Sequence, residues 1–218
     1  MNPLLLIFPR SCPFCRQPIA HRETECEPCR KIIMKQSYQR TLKGNIPCYA
    51  PMLYSGLAKE AIHAFKFRKK YANADSFASL MHCQAEREDI RADIITCVPM
   101  HPAVKRQRGF NQAELLARKL AKLMHLPYCD LLKKIKNNQT QHLLTAKERI
   151  INVQNVFQSI HTDMICGKHV LLVDDVCTTG STLSECSRIL QNSGAASVCC
   201  ITAALVREEI YTGDLTET

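Results

Sequence analysis

One string of fourteen residues limits what this chain can fold into more than any other: Val170-Leu171-Leu172-Val173-Asp174-Asp175-Val176-Cys177-Thr178-Thr179-Gly180-Ser181-Thr182-Leu183. Four consecutive apolar residues read as a strand buried on both faces. Two acids close it, and a short hydroxyl-rich turn leads into a helix expected from Thr182 to Gln191, with Gly194 placed to end it. A helix start offers free N–H groups and the positive end of the helix dipole, which together bind a phosphate monoester. Gly180 would let the backbone approach such a group, while Thr178, Thr179, Ser181 and Thr182 would add hydroxyl donors. Asp174 and Asp175 then suit two neighbouring ribose hydroxyls, or a Mg²⁺ attached to them. Ligands of open α/β sheets bind outside the carboxyl ends of the strands, which is where this turn falls. The rival reading is a polar strand-to-helix loop whose acids merely cap the helix.

The chain around this string alternates strands with helices. Ile94 to Val98 and Val198 to Leu205 are further apolar, strand-like runs. Helices are expected over Asp75 to Glu86 and after Asn111. That second helix carries an N-cap pair, Asn111 with Glu114, and a stripe of Leu115, Leu116, Leu120 and Leu123. Pro47 to Tyr54 reads as an edge strand. Ser55 is placed to cap a helix with an apolar face of Leu57, Ile62 and Phe65. Lys31 to Thr41 is polar and reads as helix or linker. Such alternation calls for a parallel α/β sheet with helices on both faces. At 218 residues, 46% of them hydrophobic, the chain can bury one substantial core plus a small appendage. We divide it into an N-terminal module and linker (1–45) and a main domain (46–218). The apolar run Leu4 to Phe8 is too short for a bilayer span or the core of a signal peptide, so no membrane span and a cytoplasmic location are expected.

Nine of the 13 cysteines are scattered and read as small buried hydrophobes. The other four form Cys12-Pro13-Phe14-Cys15 and Cys26-Glu27-Pro28-Cys29, a spacing that suits a closed tetrahedral Zn²⁺ site. Metal binding would then drive the folding of a segment too short to build its own core. A redox pair is the rival, but it needs one motif at a strand-to-helix junction, whereas here two occur in a Pro-rich stretch. His21 lies between the pairs as a bystander.

The net charge of +9 is unevenly placed. Residues 1–70 hold 13 Lys/Arg against 4 Asp/Glu, and residues 105–149 hold 11 against 3. The second block begins in a loop that follows the Ile94 strand: Val98-Pro99-Met100-His101-Pro102, then Lys105, Arg106, Arg108-Gly109-Phe110-Asn111-Gln112. Its guanidinium groups can pair with phosphates in bidentate fashion. The first block, with Lys66, Arg68, Lys69 and Lys70 at its end, suits a nucleic-acid backbone, giving affinity without sequence preference. Ordinary solvated charge is the alternative for both.

The Asp-Asp string resembles the phosphoribosyl-pyrophosphate loop of the type I phosphoribosyltransferases, position by position. The resemblance implies that Asp174, Asp175, Val176, Cys177, Thr178, Thr179, Gly180, Ser181 and Thr182 bind the phosphoribosyl group. It further implies that Pro99, Met100, His101, Arg106 and Arg108 hold the pyrophosphate. Together with Gln141, Leu144, Arg149, Asn152, Phe157 and the four-cysteine module, the Arg-Gly-Phe-Asn-Gln string resembles the competence protein F family. That likeness implies a cytoplasmic protein that binds phosphoribosyl pyrophosphate with Mg²⁺, carries structural Zn²⁺, and supports uptake and handling of single-stranded transforming DNA alongside other DNA-uptake proteins. An active phosphoribosyltransferase acting on a nucleobase-like nitrogen is the alternative. Residues 133–160 would be its closing lid, yet Phe157 is their only aromatic residue.

Overall fold

Strand pairing fixes the architecture. The computed structural model describes residues 10–67, 71–136 and 156–207. Its first half runs α1 (Glu27–Met34), β1 (Tyr38–Leu42), β2 (Ile46–Ala50), β3 (Met52–Leu53), α2 (Gly56–Phe67), α3 (Asn73–Arg87) and β4 (Ile94–Cys97). There follow α4 (Pro102–Arg108), α5 (Gln112–Met124), β5 (Leu132–Lys134), β6 (Phe157–Ser159) and a 3₁₀ turn at Thr162–Met164. The last elements are β7 (His169–Cys177), α6 (Ser181–Asn192) and β8 (Ser197–Leu205). The main sheet has the order β1-β2-β8-β7-β4, with β3 also pairing β8. Every pairing in it is parallel except β1 with β2. The chain is therefore a mixed α/β protein with a mostly parallel sheet, as expected.

The central strands are apolar because helices cover both of their faces. All four residues of β4 are buried, as are Val170 to Val173 of β7. Helix α5 presents Ala113, Leu116, Ala117, Leu120 and Ala121 to the core. Small residues complete that stripe, so Leu123 falls outside it and is exposed. In α2 the buried face is Ala61, Ile62 and Phe65, while Leu57 is exposed. Asn111 caps α5 as expected, its side chain accepting from the Ala113 N–H at 3.1 Å. Glu114 does not reach back to it and instead pairs with Lys105 and Arg118.

Two expectations are corrected near the N-terminus. Tyr38 to Leu42 is a strand rather than helix or linker, and it takes the edge that the Pro47 to Tyr54 segment was expected to hold. The signal was Lys43-Gly44-Asn45: Gly44 and Asn45 adopt φ of 87° and 59°, the left-handed pair that a tight hairpin needs. This hairpin, Leu42 facing Ile46, bridges the 45/46 division. Cys12, Phe14 and Ile19 also belong to the same buried cluster as β7 and β8. No helix among the described residues is long and apolar enough to cross a membrane.

Candidate functional site

Strand β7 outruns its neighbour. Its pairing with β4 ends at Cys97 opposite Val173, where the Val98 N–H still donates to the Val173 carbonyl at 2.9 Å. Its pairing with β8 continues to Cys177 opposite Leu205. Residues 174–177 thus lie in β7 itself, four residues further along it than the apolar run indicated. On the β4 side they have no strand partner, and the carboxyl end of a parallel strand is where ligands of such sheets bind.

Both acids stand in this stretch. The Asp175 N–H donates to Asp174 Oδ1 at 2.8 Å, and Asp175 is buried. Burial and the adjacent Asp175 carboxylate push Asp174 up to about 7, against the opposing pull of the Asp175 N–H, Lys66 and Lys134. Lys66 Nζ sits 2.9 Å from Asp175 Oδ1. Burial works against its ammonium, but the Asp175 and Asp174 carboxylates outweigh that and raise its pKa.

The turn after β7 is held from outside. Gly180 has φ 75° and caps α6. A Cβ there would lie 2.5 Å from Leu42 Cδ2, so the close approach that requires glycine is made by the β1 edge. The Arg40 guanidinium donates to the carbonyls of Thr178 and Val206, tying the turn to β1 and to the end of β8. Thr179 Oγ1 lies 2.9 Å from Ser181 Oγ. Thr178 and Thr179 are exposed, and Ser181 and Thr182 are half-buried. Among the described residues, none accepts from the N–H of Thr179, Gly180 or Thr182. Three backbone N–H groups at the start of a twelve-residue helix are thus without a partner among the described residues, and N–H groups at a helix start are the kind that bind anions. Arg40 and Leu42, which shape this turn, drew no attention in the sequence because Arg40 lies 138 residues from Thr178.

The second loop joins the first through short contacts. Asn111 Nδ2 donates to the Val98 carbonyl at 3.1 Å, closing residues 98–111 into a loop beside the end of β4. Pro99 and Met100 lead out of that strand. The His101 imidazole accepts from the Ala103 N–H at 3.2 Å and so caps α4. Arg106 is exposed. The Arg108 guanidinium lies 5.3 Å from the Phe67 ring centre and 3.4 Å from Gln112 Oε1. Gln112 in turn donates to the Lys66 carbonyl at 3.4 Å. The end of α2 is therefore bound to this loop.

That placement changes the meaning of the basic cluster. Lys66 faces the acids and is mostly buried, unlike a cation offered to an external polymer. Arg68, Lys69 and Lys70 lie outside the described residues, as do Gln141, Leu144, Arg149, Asn152 and most of the expected lid. In the N-terminal module, Arg16 pairs with Glu60, Lys31 with Glu27 and Arg30 with Glu25.

The four cysteines come together as expected. Their sulfurs all lie within 4.8 Å of one another, with Cys15 and Cys26 3.4 Å apart. A tetrahedral zinc site with Zn–S of about 2.3 Å has S···S edges of roughly 3.8 Å, so the cluster has the size to hold such an ion. A backbone hydrogen bond from Gln17 lowers Cys15 to about 7, while burial raises Cys26 and Cys29. The cluster is anchored to α3: Arg30 bonds Glu25 at 2.6 Å and Ser79 at 3.2 Å, and Phe14 meets the Phe77 ring edge-on at 6.1 Å.

Residues 107–214 match the family model of the phosphoribosyl transferase domain. DNA utilization protein YhgH of Escherichia coli is 31% identical over 193 residues, covering 86% of this chain and 80% of that protein. Competence protein F of Haemophilus influenzae is 33% identical over 145 residues, 63% of each chain. The chain belongs to the competence protein F family. Among solved structures, an adenine phosphoribosyltransferase from Thermoanaerobacter pseudethanolicus overlaps 81% of this chain and 84% of its own at 14% identity. Its TM-score is 0.39, too loose a superposition to add to the assignment. Within the family reading, the phosphoribosyl transferase match takes in β7, the acids and the turn, while the four-cysteine cluster lies outside it.

Proposed function

We propose that this protein binds phosphoribosyl pyrophosphate with Mg²⁺ and handles single-stranded DNA in the cytoplasm during DNA uptake. The observation that carries the first part is the overrun of β7. A carboxylate pair and three backbone N–H groups with no partner among the described residues follow one another along the strand end, which supports carboxylates accepting from a ribose diol and N–H groups donating to its 5′-phosphate. The 98–111 loop with Arg106 and Arg108 is the neighbouring basic element, suited to the pyrophosphate. A bound Mg²⁺ would supply charge neutralisation between acids and pyrophosphate. A Zn²⁺ held by Cys12, Cys15, Cys26 and Cys29 would be structural, since four thiolates leave no open position.

Support for the second part comes from the relatives' names and from the end of α2. The exposed rings of Phe67 and Tyr71 bracket Arg68, Lys69 and Lys70 in the chain. Exposed aromatics beside cations are what single strands stack on and neutralise against. With Arg16, Arg30 and Lys31 engaged in ion pairs, this segment is the better candidate for strand contact.

Titrating phosphoribosyl pyrophosphate into the protein with Mg²⁺, with ribose 5-phosphate and inorganic pyrophosphate as competitors, tests the first part. Both competitors should displace it, and failure of either leaves that half of the site unsupported. For the second, the triple variant R68A/K69A/K70A should flatten the salt dependence of single-strand binding, by about 0.7 in log–log slope per lost phosphate contact. Lys66 is kept in that variant because it belongs to the acid site. An unchanged slope would remove this segment from the DNA surface.

A further inference from the structure

We propose that Lys66 makes the acid site select a metal-bound sugar pyrophosphate over the free divalent ion. This rests on the phosphoribosyl-pyrophosphate reading above and deepens it. Lys66 ends the last turn of α2 and lays its ammonium 2.9 Å from Asp175 Oδ1. The two side chains are only 19% and 13% exposed, so this is not a solvated surface pair. Two adjacent carboxylates taken largely out of water need a cation near them, and α2 supplies one. A metal ion arriving alone must compete with an ammonium that is covalently part of the protein. It would also leave that ammonium half-buried without a counterion.

A sugar pyrophosphate changes the balance, because it brings several negative charges of its own. Lys66 can then leave Asp175 for a phosphate oxygen as the metal takes over the carboxylate, and neither charge is left unpaired. The anchoring of Lys66 fits this exchange. Its carbonyl accepts from Gln112, and its neighbour Phe67 lies under the Arg108 guanidinium. The lysine thus hangs from the loop suited to pyrophosphate while its ammonium rests on the ribose side. The sequence concealed this role by placing Lys66 beside three further cations, Arg68, Lys69 and Lys70.

The test is calorimetric titration of the full-length protein, unchanged and as Lys66→Met and Lys66→Arg. Each is titrated first with Mn²⁺ alone, as a tighter-binding stand-in for Mg²⁺, and then with phosphoribosyl pyrophosphate in saturating Mg²⁺. Lys66→Met keeps the aliphatic stem but removes the charge. It should bind Mn²⁺ alone about tenfold more tightly or better, and the sugar pyrophosphate about tenfold more weakly. Lys66→Arg should stay near the wild-type values in both arms, which a merely structural role does not require. If Lys66→Met does not fold, Lys66→Gln serves the same comparison. Affinities within twofold of wild type in both arms would overturn the proposal and leave a static ion pair. Wild-type protein that fails to bind the sugar pyrophosphate at all would instead overturn the reading of the site, while the Mn²⁺ arm still reports on Lys66.

Discussion

Leu42 packs its side chain into the space that a Cβ on Gly180 would occupy, 2.5 Å from Cδ2. A residue of the N-terminal hairpin thereby dictates the shape of a turn far along the chain. Gly180→Ala meets two penalties, a left-handed φ of 75° and this overlap. Together they should destabilise the protein by about 2–4 kcal/mol. Denaturant melts measure this, and pairing it with Leu42→Ala should recover part of the loss in a double-mutant cycle. Strict additivity of the two changes would mean that they do not touch.

Removing the metal should weaken the whole protein rather than residues 1–45 alone. Cys12 and Phe14 are buried in the common core, Phe14 touches Phe77, and Arg30 reaches Ser79 and Cys83 on α3. Chelation, or Cys12→Ser with Cys15→Ser, should lower the main melting transition by about 5 °C or more. A separate early transition with the main one unmoved would show that the module is independent.

Acid should loosen the 98–111 loop through Glu114. Burial would raise this carboxyl, but hydrogen bonds from Lys105 and Arg118 prevail and lower it. An acid whose folded pKa is depressed contributes stability above its unfolded value, and loses it as pH falls through the folded one. Both cations are about half exposed, so Glu114→Gln should cost about 0.5–1 kcal/mol at pH 7, and the gap from wild type should narrow as pH falls below about 4.3. A gap that does not narrow in acid would assign the loss to packing instead.

The parallel sheet, the cysteine cluster and the acid–turn string were legible because each is written in contiguous residues. Val170 to Val173 must be buried on both faces, and two Cys-x-x-Cys pairs ten residues apart already have the spacing of a four-sulfur cluster. What escaped was set by residues distant in the chain. The reach of β7 to Cys177 depends on β8 continuing beside it after β4 has stopped. The turn depends on Arg40 and Leu42, whose strand was hidden because Tyr38 to Leu42 is a polar edge with little apolar alternation. Lys66 looked like one cation among four because nothing local says that the end of α2 faces Asp175.

The central claim is that Asp174 and Asp175 grip the sugar of a bound phosphoribosyl pyrophosphate. Calorimetry with this ligand and Mg²⁺ on wild type and on the Asp174→Ala, Asp175→Ala double variant tests it most directly. The sheet should survive, because the acids lie beyond the end of the β4 ladder rather than among its apolar residues, and binding should weaken by about 1–3 kcal/mol per lost charge-assisted hydrogen bond. Equal affinity in a folded double variant would contradict the account and place the ligand elsewhere.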